Sequence, residues 1–467
     1  MKEYKVIIIG AGTSGLTARR EVAKGTDDYL VIDDSPLGTT CARVGCMPSK
    51  VLIQAANDFY RKDKFPELGI LGSENLKIDT KKVMSHVRSL RDRFVRGVRG
   101  GMESWEKTHL LRGRAKFIDK NTVEVDGEKY RAEKFVLAPG SRPMIPGPWH
   151  AFKSHLLTTD QVFELEDLPK SVAVIGLGVI GVEIGQALSR LGVEVTGFTR
   201  GKGIGGTTDP DIQNYIAKTI EKEIPTYYNG AELKRVLPNG KIEIEADGKL
   251  FEVDKVLASV GRRPNVDRLG LENTGVKLND RGMPEFSVST LKLTDAPHMT
   301  FPGDVNADRP ILHEAADEGV IAGYNTMNEE QCFKRRTSIG VTFTDPNIAF
   351  VGKRFADLDE DYVAGEVTFE GQGRSIVKLK EVGLLHVYVS KNNHEILGAE
   401  FMAPDGEHLA HLLSWAISMK LTVFEALKMP FYHPVIEEGL RTALRDAASQ
   451  LGDRKGELYR CGDTPIR

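Results

Sequence analysis

Cysteine is scarce: four in 467 residues, too few for a disulfide framework to hold together a chain of this size. No apolar run approaches the roughly 18 residues of a membrane span. The opening MKEYKVIIIGAG is a short, strand-length run without a cleavable signal pattern. Neither sign of charge is in excess: 63 Lys and Arg against 66 Asp and Glu leave a net charge of −3, which gives no electrostatic case for nucleic acid. Low-complexity segments are absent. These absences predict a protein of a cytoplasmic, reducing compartment, with neither membrane nor nucleic acid as partner. At about 150 residues per domain the length predicts roughly three domains.

What is present begins with a repeated βαβ pattern. KVIIIG reads as a buried strand, GAGTSG as a glycine-rich turn, TARREVAKG as a helix and YLVIDD as a second strand. SVAVIG, LGVIG, VEIGQALSRLG and VEVTGF repeat that order, so two dinucleotide folds are expected. Gly10, Gly12 and Gly15 form GxGxxG between strand and helix. Bare backbone there can approach a pyrophosphate, and the helix N-terminus favours its charge. Asp33 closes the second strand, where a carboxylate accepts hydrogen bonds from a ribose. Gly176, Gly178 and Gly181 repeat the motif, but the strand after it ends in Phe198, Thr199 and Arg200 with no acid. A neutral residue and Arg200 suit the 2′-phosphate of NADPH, whereas Gly181 is more usual with NAD. Arg200 as a plain surface residue is the alternative, so the reading stops at a nicotinamide cofactor, NAD or NADP.

Residues 79–102 carry Val83, Val87, Leu90, Phe94 and Val98 at near-helical spacing with many basic residues between them. A helix with a solvated basic face is expected, and docking of an acidic partner is the alternative. From about Arg335 alternating strands such as LLHVYVS and EILGAEF precede two helical stretches around HLAHLLSWAISMK and EEGLRTALRDAASQ, a separate α+β domain.

Cys41 and Cys46 bracket CARVGC, and three roles are open to them: structural staple, metal clip or redox pair. The reducing compartment disfavours a staple. No further Cys or His stands close by in sequence for a clip, so no metal site is predicted. In a regular helix residues five apart have Cα atoms about 8.6 Å apart, beyond the roughly 4.4–6.8 Å of a disulfide. The turn must therefore distort for the sulfurs to meet, and Gly45 and Pro48 are residues of an irregular helix start.

GTTCARVGCMPSK and the paired dinucleotide folds resemble the FAD-dependent pyridine nucleotide-disulfide oxidoreductases, the family of dihydrolipoamide dehydrogenase, glutathione reductase and mercuric reductase. APGSRP, VGRRPN, FPGDV and HPVIEE follow in the family's order, so the resemblance covers nearly the whole chain. It implies an α/β architecture of two Rossmann-like domains, for FAD and NAD(P), plus a C-terminal α+β dimerisation domain. The boundaries expected are 1–147 and 285–335 for the FAD domain, 148–284 for the NAD(P) domain and 336–467 for the last.

The resemblance also implies roles. Cys41 faces the substrate and Cys46 the flavin; His433 is the general acid/base, oriented by Glu438 and reaching the cysteines of a second subunit. Lys50 and Glu183 form an ion pair beside the flavin, and Asp304 contacts its ribityl chain. Thr40, Ala115, Gly140 and Gly261 are the remaining positions expected at the cofactors. The DEG of Asp317–Gly319 and the PSK after Cys46 resemble dihydrolipoamide dehydrogenases. Arg20 falls where glutathione reductases carry a substrate arginine, and a helix-surface role is its alternative. Cys461 stands alone, without the adjacent tail pair of mercuric reductases. GTTC replaces the usual GGTC, APG with Pro139 the usual ATG, and Arg43 the usual asparagine; Arg43 is expected to favour thiolate and an anionic substrate. The activity expected is a dihydrolipoamide dehydrogenase-like exchange between a lipoyl dithiol, the cysteine pair, FAD and NAD(P), carried out by a homodimer. The alternatives are an NADPH-dependent reductase of another small disulfide and a flavin redox sensor without turnover.

Overall fold

A computed structural model describes residues 1–452 and 457–462. Strand β1 (Lys2–Ile9) pairs in parallel with β2 (Tyr29–Asp33) on one side and with Glu128–Leu137 on the other. Helix α1 (Thr13–Val22) connects β1 to β2. Val6, Ile7 and Ile8 of β1 are fully buried, as a parallel strand covered on both faces requires. The chain returns to this seven-stranded sheet at Met299–Thr300, which pairs with Glu128–Leu137. Against α1 lies the helix Leu312–Met327, so closely that a Cβ on Gly319 would sit 1.9 Å from Thr17 Oγ1 and 2.4 Å from Ser14 O. That approach is the physical reason for glycine in the DEG segment.

A second parallel sheet of five strands is centred on Ser171–Ile175, paired with Glu194–Phe198 and Lys255–Ala258. The helix Val179–Arg190 follows its glycine turn. A three-stranded antiparallel sheet, Glu232–Val236, Ile242–Ala246 and Lys249–Val253, packs beside it through Ile242, Ile244 and Phe198. The C-terminal region is a five-stranded antiparallel sheet running from Ile339–Thr342 to Tyr362–Thr368, with the helices Gly406–Ser418 and Glu437–Gln450 packed on it. The expected basic segment is helix α4 (Thr80–Gly100), started by Asp79, whose side chain accepts from Lys82 N at 3.1 Å. Val83, Met84 and Val87 form its buried face. Among the described residues no helix is long and apolar enough to cross a membrane.

Arg190 ties the parts together. Its buried guanidinium meets both oxygens of Glu223 at 2.7 and 2.8 Å, Asn57 Oδ1 at 2.6 Å and the carbonyl of Asp345 at 2.7 Å. It thus joins the second fold to the helix that carries the cysteine region and to the C-terminal sheet. Removing one member of a buried ion pair strands its partners. Arg190→Met is expected to cost about 3–5 kcal/mol, read as a lower urea midpoint at unchanged slope; a loss below about 1 kcal/mol, the range of a surface ion pair, would contradict the tie.

Candidate active site

The cysteine pair sits at a helix break. Helix α2 (Thr40–Val44) ends at Gly45, whose backbone leaves helical space at φ −133° and ψ −122°, and α3 (Cys46–Tyr60) starts afresh. This is the distortion that the five-residue spacing demands. Thr39, in place of the family's second glycine, sits at φ +64° and ψ 151°, a conformation nearly reserved for glycine. Its side chain accepts from Ala42 N at 3.3 Å and caps α2 in return.

Both cysteines are thiols here, Cys41 half-buried and Cys46 open to the cleft. The Cys41 thiol hydrogen-bonds to Cys46 and lowers the Cys46 pKa to about 7, helped by the nearby Lys50 ammonium, while dense surroundings oppose the shift. Donating that bond and being buried raise Cys41, so the thiolate belongs to Cys46 and the proton to Cys41. The cation that lowers Cys46 is Lys50; the Cγ of Arg43 lies 3.4 Å from the Cβ that Gly38 would carry, beside Val95 of α4. Lys50 Nζ donates to Glu183 Oε2 at 2.8 Å, and Glu183 Oε1 accepts from Phe343 N at 2.7 Å.

The pair opens into a cleft of about 460 Å³ that also reaches both glycine motifs, through Gly12 and Ser14 at one end and Val179 and Glu183 at the other. Gly10 takes φ +107°, and a Cβ there would lie 2.1 Å from Ala138 O. A Cβ on Gly15 would lie 1.9 Å from Gly10 O. Gly176 and Gly181 repeat this, at 2.2 Å from Ser259 O and 1.9 Å from Gly176 O. Gly12 and Gly178 have open space beside them and begin helices that no side chain caps. Uncapped N–H groups beside bare backbone fit the pyrophosphate of a dinucleotide at each motif. Asp33 is held at the end of β2 by Ala11 N at 2.6 Å and Ser35 at 2.7 Å. Arg200 is exposed at the end of the corresponding strand in the second fold, without an ion-pair partner among the described residues.

Asp304 lies in the same cleft, where Ser141 Oγ donates to it at 2.9 Å and Arg262 Nε in turn donates to Ser141 at 2.8 Å. Glu318 holds the Asp304 turn by accepting from Gly303 N and from Asn306 Nδ2 at 2.6 Å. Thr40 and Gly140 line the cleft, and Gly261 lines a smaller cavity beside Gly178. Ala115 does not line the cleft; it is buried in the apolar cluster around Phe117 and Phe135. Arg20 is exposed in the last turn of α1, away from the cleft. Sequence reasoning missed Ser141, Arg262 and Phe343; the first two stand inside APGSRP and VGRRPN, while Phe343 carries no local signal.

His433 and Glu438 form a separate pair. His433 Nδ1 lies 3.0 Å from Glu438 Oε2, and the carboxylate also accepts from Val435 N at 3.2 Å. The hydrogen bond from His433 lowers the Glu438 pKa and keeps it ionised. The His433 side chain is 79% exposed and does not line the cleft of its own chain. Cys461 is exposed and unpaired.

The pyridine nucleotide-disulphide oxidoreductase family matches residues 4–319, and its dimerisation domain matches residues 338–444. The chain belongs to this family. Like other pyridine nucleotide-disulphide oxidoreductases it is an FAD-dependent enzyme acting on sulfur groups, with NAD(P) as the second cofactor. A dihydrolipoyl dehydrogenase of Thermus scotoductus is 31% identical over 454 residues, 95% of this chain and 97% of that one. One of Geobacillus stearothermophilus is 30% identical over 448 residues, 93% and 94% of the two chains. The fold matches the HOCl-induced flavoprotein disulfide reductase RclA of Escherichia coli with a TM-score of 0.82, at 21% identity over 96% of this chain and 100% of that one.

In reduced protein, alkylation of Cys46 followed against pH should rise with a midpoint near 7. Cys41→Ala removes the donated hydrogen bond and Lys50→Met the cation, so each should move the midpoint upward. A midpoint unmoved in both would remove the cause assigned to the shift.

Proposed function

We propose that the chain is a dihydrolipoamide dehydrogenase-like enzyme that oxidises a lipoyl-type dithiol at Cys41 and Cys46. The observation that carries it is a cleft shared by the cysteine pair and both dinucleotide turns; the named relatives supply the substrate class. Residues 1–147 and 285–335 would hold FAD, chiefly through Gly10, Gly12, Gly15, Asp33, Lys50 and Asp304. Residues 148–284 would hold NAD(P) through Gly176, Gly178, Gly181 and Gly261, and residues 336–467 would form the dimer, in a cytoplasmic setting.

The first substrate thiol gives its proton to His433 Nε2, the nitrogen left free when Nδ1–H donates to Glu438. The resulting thiolate attacks Cys41 of the oxidised pair, forming a mixed disulfide and releasing Cys46 as thiolate. The second substrate thiol attacks the substrate sulfur of that bond and releases Cys41, which takes up its proton. The products are the substrate disulfide, a Cys41 thiol, a Cys46 thiolate and a protonated His433. That distribution agrees with the directions of the two cysteine pKa shifts. Bound FAD supplies the two-electron acceptor that restores the protein disulfide, with NAD(P) as the final carrier.

His433 lies outside its own chain's cleft, so a second copy would bring it to the cysteines. Exposed apolar residues on the same domain, Tyr432 at 81%, Trp415 at 70% and Met419 at 62%, suit burial against that copy. A second reading, an NADPH-driven reductase of another small disulfide, is favoured by the unpaired Arg200 at a strand end without an acid.

Turnover of dihydrolipoamide and glutathione disulfide with each nucleotide separates the two readings. Lipoamide activity is expected, and its absence with both nucleotides would overturn the first. His433→Gln should slow dithiol oxidation by about 10²–10⁴-fold with FAD content unchanged; an unaltered rate would remove His433 from the mechanism.

A further inference from the structure

We infer that the basic ridge of α4, with Arg43 beside it, docks an acidic protein surface that presents the dithiol to Cys41; the inference rests on the dithiol-oxidising reading above. Helix α4 carries seven Lys or Arg and a single acid, Asp92, in a chain whose net charge is −3. Part of this charge is engaged within the fold: Arg88 donates to the carbonyl of Leu165, and Arg91 pairs with Glu164 and Asp92. Arg93 and Arg96 are exposed and have no hydrogen bond or ion pair among the described residues, and Arg99 reaches Glu106 only at 3.9 Å.

These three arginines recur at i, i+3 and i+6, which stacks them as one ridge about 9 Å long. Like charges so spaced repel one another, and the isolated helix gains nothing from them. The ridge adjoins the reactive cysteine. Val95, between Arg93 and Arg96, meets the position of Gly38, and the Arg43 stem packs at that same contact. Arg43 lies on α2 two residues from Cys41, and it too has no acceptor among the described residues. Guanidinium groups that are unpaired or, as at Arg99, only loosely paired act as one field where they lie within about a Debye length, roughly 8–10 Å. Three of them along α4, with Arg43 on α2 beside them, exceed what one carboxylate on a small disulfide can pair. Acidic side chains distributed over a protein surface match both their sign and their spread.

The test uses the full-chain holoenzyme and two synthetic lipoyl-lysine peptides of equal length, one flanked by glutamates and one by glutamines, both reduced. At low salt kcat/KM for the glutamate peptide is expected to exceed that for the glutamine peptide by about tenfold. The ratio should fall towards one at high salt and in an Arg93→Gln, Arg96→Gln double variant. Equal values in the wild type, or a preference that survives in the double variant, would overturn the inference. Free dihydrolipoamide, which is uncharged, reports the reaction itself: no turnover of it would count against the proposed function alone, and fluorescence anisotropy of the labelled glutamate peptide would then read the surface directly. No binding of that peptide, or tighter binding of a DNA duplex to the ridge, would also overturn the inference.

Discussion

A buried carboxylate needs partners, and Glu183 finds them in two other parts of the chain at once. It lies on the first turns of the helix after the second glycine motif, accepts the Lys50 ammonium from the cysteine-bearing helix and accepts Phe343 N from the C-terminal region. Leaving any of these unmade would expose a charge in a site only 5% accessible at the side chain. The knot therefore fixes how the two dinucleotide folds face each other, and with that the shape of the cleft. It also sets the chemistry, because the ammonium anchored by Glu183 is the cation beside the Cys46 sulfur.

The cysteine pair then works through asymmetry. Both sulfurs share one helix break, yet one donates the hydrogen bond and the other receives it beside Lys50. A thiolate is thereby kept at Cys46 and a proton at Cys41, within one cleft. Separation of charge between two adjacent thiols suits one of them to disulfide exchange and the other to electron delivery.

Much of this was legible in the sequence because it is written locally. Each GxGxxG stands between a strand and a helix, and the backbone contacts of Gly10 and Gly15 and of Gly176 and Gly181 are nearly superimposable in their distances. CARVGC announced a distorted turn, and Gly45 supplies it. What the sequence concealed depends on residues distant along the chain. Arg190 reads as an ordinary helix-terminal cation, yet it joins Asn57, Glu223 and Asp345. Phe343 contributes only a backbone N–H, which no side-chain pattern encodes. Ala115 was expected at the cofactor, and its side chain packs in the core beside Phe117. Sequence proximity of Arg43 to the sulfurs says nothing of direction, and neither does it reveal Lys50 as the cation that lowers Cys46.

The central claim is that Cys46, held as thiolate by Cys41 and Lys50, is the sulfur that faces bound FAD. Two-electron reduction of the holoenzyme, followed by absorbance against pH, tests it most directly. The account predicts a long-wavelength thiolate-to-flavin charge-transfer band that appears with a midpoint near 7 and is lost in Cys46→Ser but not in Cys41→Ser. A band that persists in Cys46→Ser, or that never forms in the wild type, would contradict it.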